Sequence, residues 1–290
     1  MTNPLSFDDL QGIMHRHIDS LPDYRKKGPN TQYRIQDAAL GAFGIFFTQS
    51  PSLLDSQRTL QQTTGQNNVH TLLGVEQIPC DNQIRKLLDP IAPSGRDPVF
   101  LDVCERLAQH RMLAYFHDLD TQLLVALDGT HYFSSQAIHC HNCLTRQLTN
   151  GQTLSYHAAI TPVIVCPGQS QGIALPPEDI MPRDGHAKQD CERAAGKRWL
   201  AKHAARVAPH GVTFLGDDLY SNQPFCALVL HNRCHCICTC KPDSHPKFSE
   251  RLAFWQATGE MAEREGRRWN GRFTEVTLVR YINDVLLRGG

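Results

Sequence analysis

The sequence has no apolar run that approaches the roughly 18–20 residues needed to span a membrane. Its start, Met1-Thr-Asn-Pro-Leu, has no basic segment followed by an apolar one, so we expect no signal peptide and a cytoplasmic location. It also has no surplus charge, because 29 Lys and Arg balance 29 Asp and Glu. Net charge therefore gives no support for nucleic-acid binding, although local basic patches are compatible with it.

Several common motifs are missing as well. The sequence contains no Gly-rich phosphate loop, no Gly-x-Ser-x-Gly elbow and no dinucleotide fingerprint, which argues against the enzyme classes that use them. Cysteine, in contrast, is abundant. Its eleven residues are an odd number in a chain without a secretion signal, which favours free thiols or metal ligands over a complete disulfide framework.

The first region of the chain, residues 1–118, is predicted to be all-helical. Apolar residues recur there at three-to-four spacing, which is typical of amphipathic helices. The predicted helices cover residues 7–20, 35–47, 81–88 and 99–116.

The second region, residues 119–290, alternates between strands and helices. Strands are predicted at 122–128, 172–175, 212–218 and 234–240, with a strand pair or one bent strand at 153–166, and helices at 188–208 and 225–231. The long helix is expected to turn Cys191, Ala195, Trp199 and Leu200 inward. This order predicts an α/β domain with at least one right-handed crossover.

Acidic residues stand at the carboxyl ends of two predicted core strands. Asp128 ends one strand, and the pair Asp217 and Asp218 ends another. Ligands of open α/β sheets bind outside these ends. Carboxylates gathered there suit Mg²⁺, and two such ions can activate an attacking oxygen and stabilise a leaving one in phosphodiester chemistry. The alternative for Asp128 is ordinary turn chemistry, since Asp-Gly commonly follows a strand.

The motifs Leu127-Asp-Gly-Thr and Gly216-Asp-Asp-Leu-Tyr-Ser resemble the first two acidic motifs of bacterial insertion-sequence transposases of the DDE class. Residues 182–192 and 240–245 resemble one subgroup of that family. The resemblance implies a ribonuclease-H-like mixed sheet with flanking helices, Mg²⁺ or Mn²⁺ as cofactor, and double-stranded DNA of the transposon ends as partner. The family's Asp-x-x-Tyr pattern selects Asp217 as the second catalytic acid beside Asp128. A homodimer is a further expectation.

The third acid of that family, a Glu on a late helix, has no match between Asp217 and Gly290. Glu260, Glu263 and Glu265 lie in a segment predicted to be an exposed charged helix or turn. We therefore expect a C-terminally truncated core. The alternative function is a catalytically inactive remnant that only binds DNA or dimerises.

Two further acids have open roles near the predicted site. Asp218 is either an acceptor behind the metal ligands or the cap of the next helix. Glu192 either approaches the acids from the helix that begins near Lys188 or is a helix-N-terminal charge favoured by the macrodipole.

A group of thiols and imidazoles predicts a second metal. Cys140, Cys143, Cys240 and His245 have ligand types that suit tetrahedral Zn²⁺. Alternatively, these cysteines are small buried apolar residues. A zinc-organised binding module without phosphoryl chemistry is thus another candidate function.

Basic residues provide the predicted DNA contacts, through phosphates and, on the short helix after Pro79, through bases. The candidates are Arg25, Lys26, Lys27, Arg85, Lys86, Arg183, Lys188 and Lys241. For Arg25, Lys26 and Lys27 the alternative is a solvated basic turn.

Overall fold

The structure is a computed structural model that describes residues 5–26, 28, 31–62, 69–183, 188–189, 191–283 and 285. The chain forms two compact units. One comprises residues 1–117 with 170–179, and the other comprises residues 118–169 with 180–290. The N-terminal region is helical and the remainder mixes helices with sheets, which confirms the predicted α/β class.

The N-terminal helices are α1 (Phe7–Asp19), α2 (Ile35–Phe47), α3 (Leu53–Gln61), α4 (Asp81–Leu88) and α5 (Asp97–Gln109). Helix α1 starts at a capping box, in which the backbone N–H of Asp9 donates to Ser6 Oγ at 3.1 Å. The predicted helix at 99–116 is shorter, because Arg111 adopts a positive φ of 58° and separates α5 from a 3₁₀ turn at Met112–Phe116.

The core of the helical unit forms where α2 meets α4. Ile35, Ala38, Ile84 and Leu87 make up its buried cluster. Asp37 is buried beside this cluster and is fully engaged, since it pairs with Arg34 at 2.9 Å and accepts the backbone N–H of Glu76 at 3.0 Å. A buried carboxylate with two donors is compatible with the core.

Beyond the N-terminal helices the described residues form many strands and three further α-helices. The helices are α6 (Glu192–Val207), α7 (Gln223–His231) and α8 (Pro246–Thr258). The strands are β1 (His117–Asp118), β2 (Gln122–Ala126), β3 (Gly129–Ser135), β4 (Leu144–Gln147), β5 (Thr153–Ile160), β6 (Val163–Val165), β7 (Ile173–Ala174), β8 (Glu178–Ile180), β9 (Pro182–Arg183), β10 (Lys188–Gln189), β11 (Val212–Gly216), β12 (His235–Cys238), β13 (Ala262–Trp269) and β14 (Thr274–Tyr281).

The main sheet of the α/β unit has β2 at its centre, between β11 and β6. Strand β11 runs parallel to β2 and to β12, whereas β6 runs antiparallel to β2. The apolar run of β2 is buried on both faces, as expected for a central strand. Helix α6 covers the sheet with Trp199, whose ring meets Phe214 edge-on at 5.8 Å. Ala195, Trp199 and Leu200 are buried as predicted, but Cys191 precedes the helix and is exposed.

A second sheet continues the same chain beyond Asp128. Strand β5 lies between β3 and β4 and is antiparallel to both. The register between β3 and β5 shifts between His131 and Phe133. This sheet carries the CxxC segment in the loop between β3 and β4.

The last strands form an exposed antiparallel hairpin, β13 with β14. The prediction of a charged helix or turn around Glu260 is wrong for Glu263 and Glu265, which lie in β13 and pair with Arg280 and Leu278 of β14. Among the described residues, no helix combines the length and the apolar character required to cross a membrane.

Candidate metal centres

Two of the predicted catalytic acids lie at the ends of adjacent parallel strands. Leu215 of β11 pairs with Ala126 of β2, and the same register continued by two residues sets Asp217 opposite Asp128. Parallel strands are about 4.8 Å apart, so both side chains emerge at one edge of the sheet. Both residues are exposed. One oxygen of each accepts a nearby backbone N–H at 2.9 Å, from Gly129 and Leu219, which leaves the other oxygen available.

Glu192, the first residue of α6, completes an acidic group with these two residues. Its side chain lies against Gly129, where an added Cβ would be only 2.7 Å from the Glu192 Cδ. Burial raises the pKa of Glu192, and the negative charges of Asp217 and Asp128 raise it further. A carboxyl that is half-buried beside two other acids disfavours its own negative charge unless a cation joins the group.

Tyr220 packs in the core next to the acidic group. Its ring is fully buried and tilted against Phe225 at 4.9 Å. Two glycines make room for it, since an added Cβ would lie 2.8 Å from Tyr220 Cβ at Gly216 and 2.9 Å from Cε1 at Gly196. Burial first, and then the charge of Glu192, raise the pKa of Tyr220, so its hydroxyl stays protonated. Within the described part of the chain this buried hydroxyl has no hydrogen-bond partner, so Tyr220 bounds the acidic group by packing alone.

Asp218 faces a different neighbour. It accepts the backbone N–H of Lys241 at 2.6 Å and lies 3.2 Å from His245 Nε2. Hydrogen bonds from Ser244 and Lys241 lower the pKa of Asp218. The N-cap of the next helix is Asn222, so Asp218 is not that cap; it is an acceptor that anchors the 241–245 loop.

The carboxylate oxygens of Asp128, Asp217 and Glu192 lie farther apart than the ligand atoms of a single metal ion. Among the described residues, they are not one of the groups of three whose ligand atoms all lie within 4.8 Å of one another. A pair of ions about 3.5–4 Å apart spans a wider set of carboxylates and takes substrate oxygens and water as its other ligands. This is the chemistry that the edge of the sheet is able to support.

A compact sulfur and nitrogen group lies on the second sheet. Cys140 Sγ is 3.6 Å from Cys143 Sγ, and each sulfur is 3.4 Å from His157 Nε2. The predicted set of four is therefore wrong in its second half. Cys240 Sγ lies 2.8 Å from Ser221 Oγ and His245 lies beside Asp218, because the loop that carries them is tied to the end of β11.

Sequence reasoning missed His157, because a lone histidine within a strand carries no ligand spacing. The signal that exists is the hairpin of β4 and β5. It returns the chain after the CxxC segment, and Leu144 pairs with Tyr156. A histidine next to that register position is therefore brought back to the cysteines.

A second thiol group consists of Cys226 on α7 and Cys236 and Cys238 on β12. Hydrogen bonds from Cys238 and Cys226 lower the pKa of Cys236 to about 6, whereas burial raises the pKa of Cys226 to about 11. All eleven cysteines lie within the described residues and are free thiols, as predicted. Some are also small buried residues, among them Cys104 and Cys234.

The predicted DNA-contacting residues differ in availability. Arg25 pairs with Asp23 at 2.8 Å and donates to the Tyr33 carbonyl, and Arg85 lies 4.0 Å from Asp81 on α4. Of the predicted lysines whose side chains the structure describes, Lys26, Lys86 and Lys241 are exposed. Lys27 lies outside the described residues, and so do the side chains of Arg183 and Lys188, whose backbones pair in the β9–β10 ladder.

No family model matches the chain, and no curated protein is significantly similar to it.

Proposed function

We propose that the chain is a metal-dependent DNA transposase of the DDE type, with Asp128, Asp217 and Glu192 as the ligands of Mg²⁺ or Mn²⁺. The observation that carries the proposal is the position of Glu192 against Gly129, where its pKa responds to both strand-end acids. Three carboxylates at the carboxyl edge of a central parallel strand pair suit hard divalent cations and phosphate oxygens.

The reaction follows from the ligands. Asp128, Asp217 and Glu192 would hold the cations, which would supply activation of a water or 3′-hydroxyl and stabilisation of the leaving oxygen in hydrolysis and strand transfer. Asp128 and Asp217 are exposed, so a DNA backbone could reach cations held there. A ribonuclease-H-like core is part of the proposal, supported by a sheet in which parallel β12, β11 and β2 adjoin antiparallel β6.

The proposal assigns the third acid differently from the family resemblance. The resemblance places a Glu after Asp217, and none fits there. Glu192 precedes Asp217 in sequence, but the start of α6 brings it to the same edge of the sheet. Metal binding by the chain therefore does not depend on a Glu beyond Asp217.

The DNA partner, the homodimer and a nucleoid-associated location belong to the same proposal. Among the candidate DNA contacts, Lys241 is the one that the structure ties to the acidic segment. It is exposed, and its backbone N–H donates to Asp218, the neighbour of Asp217. A lysine there adds sequence-independent affinity for phosphate.

The test is nicking of supercoiled plasmid DNA, and of duplexes from the DNA that flanks the coding region, with Mn²⁺ or Mg²⁺. Asp128→Asn and Asp217→Asn should each lower the rate by more than roughly a hundredfold, since a lost ion contact removes several kcal/mol of transition-state stabilisation. Asp218→Asn is the matched control, with the same charge change one residue away, and should keep most of the rate. Full activity of Asp128→Asn would reject the proposal.

The second candidate is a DNA-binding or dimerising protein without phosphoryl chemistry, either an inactive transposase or a zinc-organised module. It is favoured by the spread of the three acids and by the compactness of the Cys140, Cys143 and His157 group. Folded wild-type protein that binds the same duplexes but leaves them intact with either cation would support this candidate. The zinc expected from the CxxC pair would bind Cys140, Cys143 and His157, which are separate from the three acids.

A further inference from the structure

The Cys140, Cys143 and His157 group has the dimensions of a tetrahedral metal site. Zn²⁺ binds sulfur at about 2.3 Å and imidazole nitrogen at about 2.0–2.1 Å, which places two sulfurs about 3.8 Å apart and sulfur and nitrogen about 3.6 Å apart. The corresponding distances are 3.6 Å between the sulfurs and 3.4 Å from each sulfur to Nε2. All three edges of the triangle thus fall within 0.2 Å or so of the expected lengths.

The surrounding structure constrains two of the three ligands, and the third lies at the surface. The ring of His157 is stacked on Tyr132 at 5.9 Å and 12°, with Phe133 also at 5.9 Å, so its Nε2 keeps one direction. Cys143 is buried, and its sulfur accepts the backbone N–H of Cys140 at 3.2 Å. Cys140 is exposed, which opens the fourth position to solvent.

We infer that Cys140, Cys143 and His157 form a zinc site that fastens the loop between β3 and β4 to β5, with water as the fourth ligand. Two thiolates and an imidazole are soft ligands that favour Zn²⁺ over the Mg²⁺ or Mn²⁺ expected at the acids. Among the described residues, no further His, Cys, Asp or Glu joins the group. Deprotonated sulfurs and bound zinc replace the thiol hydrogen bonds without moving the backbone.

The site differs in a testable way from its two competitors. The set predicted from the sequence used Cys240, and the other compact thiol group uses Cys236. Cys240→Ser and Cys236→Ser are therefore matched controls, each removing one partly exposed thiol elsewhere in the same unit.

The experiment measures zinc per chain in the whole purified protein after equilibration with Zn²⁺ and removal of loosely bound metal. The wild type, Cys240→Ser and Cys236→Ser should retain one equivalent, and Cys140→Ser and His157→Gln should lose it. Retention by Cys140→Ser, loss in Cys236→Ser or Cys240→Ser, or absence of zinc from the wild type would overturn the inference.

Co²⁺ substitution keeps the test valid if a variant fails to fold. In the wild type, Co²⁺ should give the intense visible bands of a tetrahedral ion together with thiolate charge transfer. Cys140→Asp, which keeps a ligand at an exposed position, should retain Co²⁺ with weaker charge transfer. Unchanged charge transfer in Cys140→Asp, or only the weak bands of an octahedral ion in the wild type, would contradict the site. None of these readouts depends on DNA cleavage.

Discussion

The α/β unit carries two ligand groups of opposite chemical character. The acids Asp128, Asp217 and Glu192 are oxygen ligands on the ends of parallel strands and the start of a helix. Cys140, Cys143 and His157 are sulfur and nitrogen ligands on an antiparallel sheet. The first group is open and spread and the second is compact, so under the two proposals above the first suits substrate oxygens and the second suits a single tightly bound ion.

After loss of Asp128 or Asp217 themselves, the largest effect on the acidic group should come from Gly129→Ala. The new Cβ would overlap the carboxylate of Glu192 and displace it, while Asp128 and Asp217 remain intact. Misplacing one catalytic group by about 1 Å can cost up to about a hundredfold in rate, so we expect a fall of roughly ten- to a hundredfold in Mn²⁺-dependent nicking.

The control for this variant is Gly41→Ala on α2, where an added Cβ meets nothing within 4 Å. It should leave nicking unchanged. Both variants should keep the same zinc content, because neither glycine contacts the sulfur ligands. A Gly129→Ala protein with the wild-type rate would show that the position of Glu192 is unimportant.

A smaller effect is expected from Glu192→Gln on stability. The pKa of Glu192 is raised by burial and by the two neighbouring acids, so the unfolded chain releases this proton at a lower pH than the native protein. As pH rises from about 4.3 through the raised value, the native state therefore loses stability, and the Gln variant escapes that loss.

Chemical unfolding between pH 4 and pH 7 measures this difference. Without divalent cations, Glu192→Gln should be the more stable protein at pH 7 and should match the wild type near pH 4. Added Mn²⁺ should stabilise the wild type more than the variant, because a cation that binds only the native state shifts its free energy. An equal pH dependence in the two proteins would remove Glu192 from the acidic group.

The smallest effect on the acid site should come from Asp218→Asn. Asp218 anchors the loop that contains Lys241 and Ser244, and its lowered pKa reflects those donors. The carboxylate therefore adds stability above its ordinary pKa, and that stability is lost as pH falls through the lowered value. The variant should unfold at a slightly lower temperature at pH 7, with nicking and zinc content retained. A loss of nicking as large as in Asp217→Asn would make Asp218 a metal ligand.

The oxygen group was the more predictable of the two. Apolar runs that end in acids at Asp128 and Asp217 predict central strands, and the carboxyl ends of parallel strands meet by geometry. For Glu192 the sequence left two roles open, an approach to the acids or a charge at the helix N-terminus. The sequence predicts where α6 begins but not how that helix packs on the sheet. In the structure the carboxylate of Glu192 lies against Gly129, the residue that follows Asp128.

Two of the three members of the sulfur and nitrogen group, Cys140 and Cys143, could be predicted from the sequence. The CxxC spacing fixes Cys140 and Cys143 within one turn of chain, whereas the third ligand depends on the register of β4 with β5. That register is set by a tight turn at 148–152, where Leu148 donates its backbone N–H to the Gln152 carbonyl at 2.8 Å. The predicted set included Cys240, which lies beside Ser221, whereas Cys236 and Cys238 of β12 group with Cys226 of α7.

Mn²⁺ binding to the whole chain without DNA, measured by electron paramagnetic resonance, tests most directly whether the three carboxylates share a cation. The wild type should bind Mn²⁺, and Asp128→Asn, Asp217→Asn and Glu192→Gln should each weaken binding. Asp218→Asn should not. Wild-type affinity in Asp128→Asn and Glu192→Gln would contradict the claim that these carboxylates share a cation.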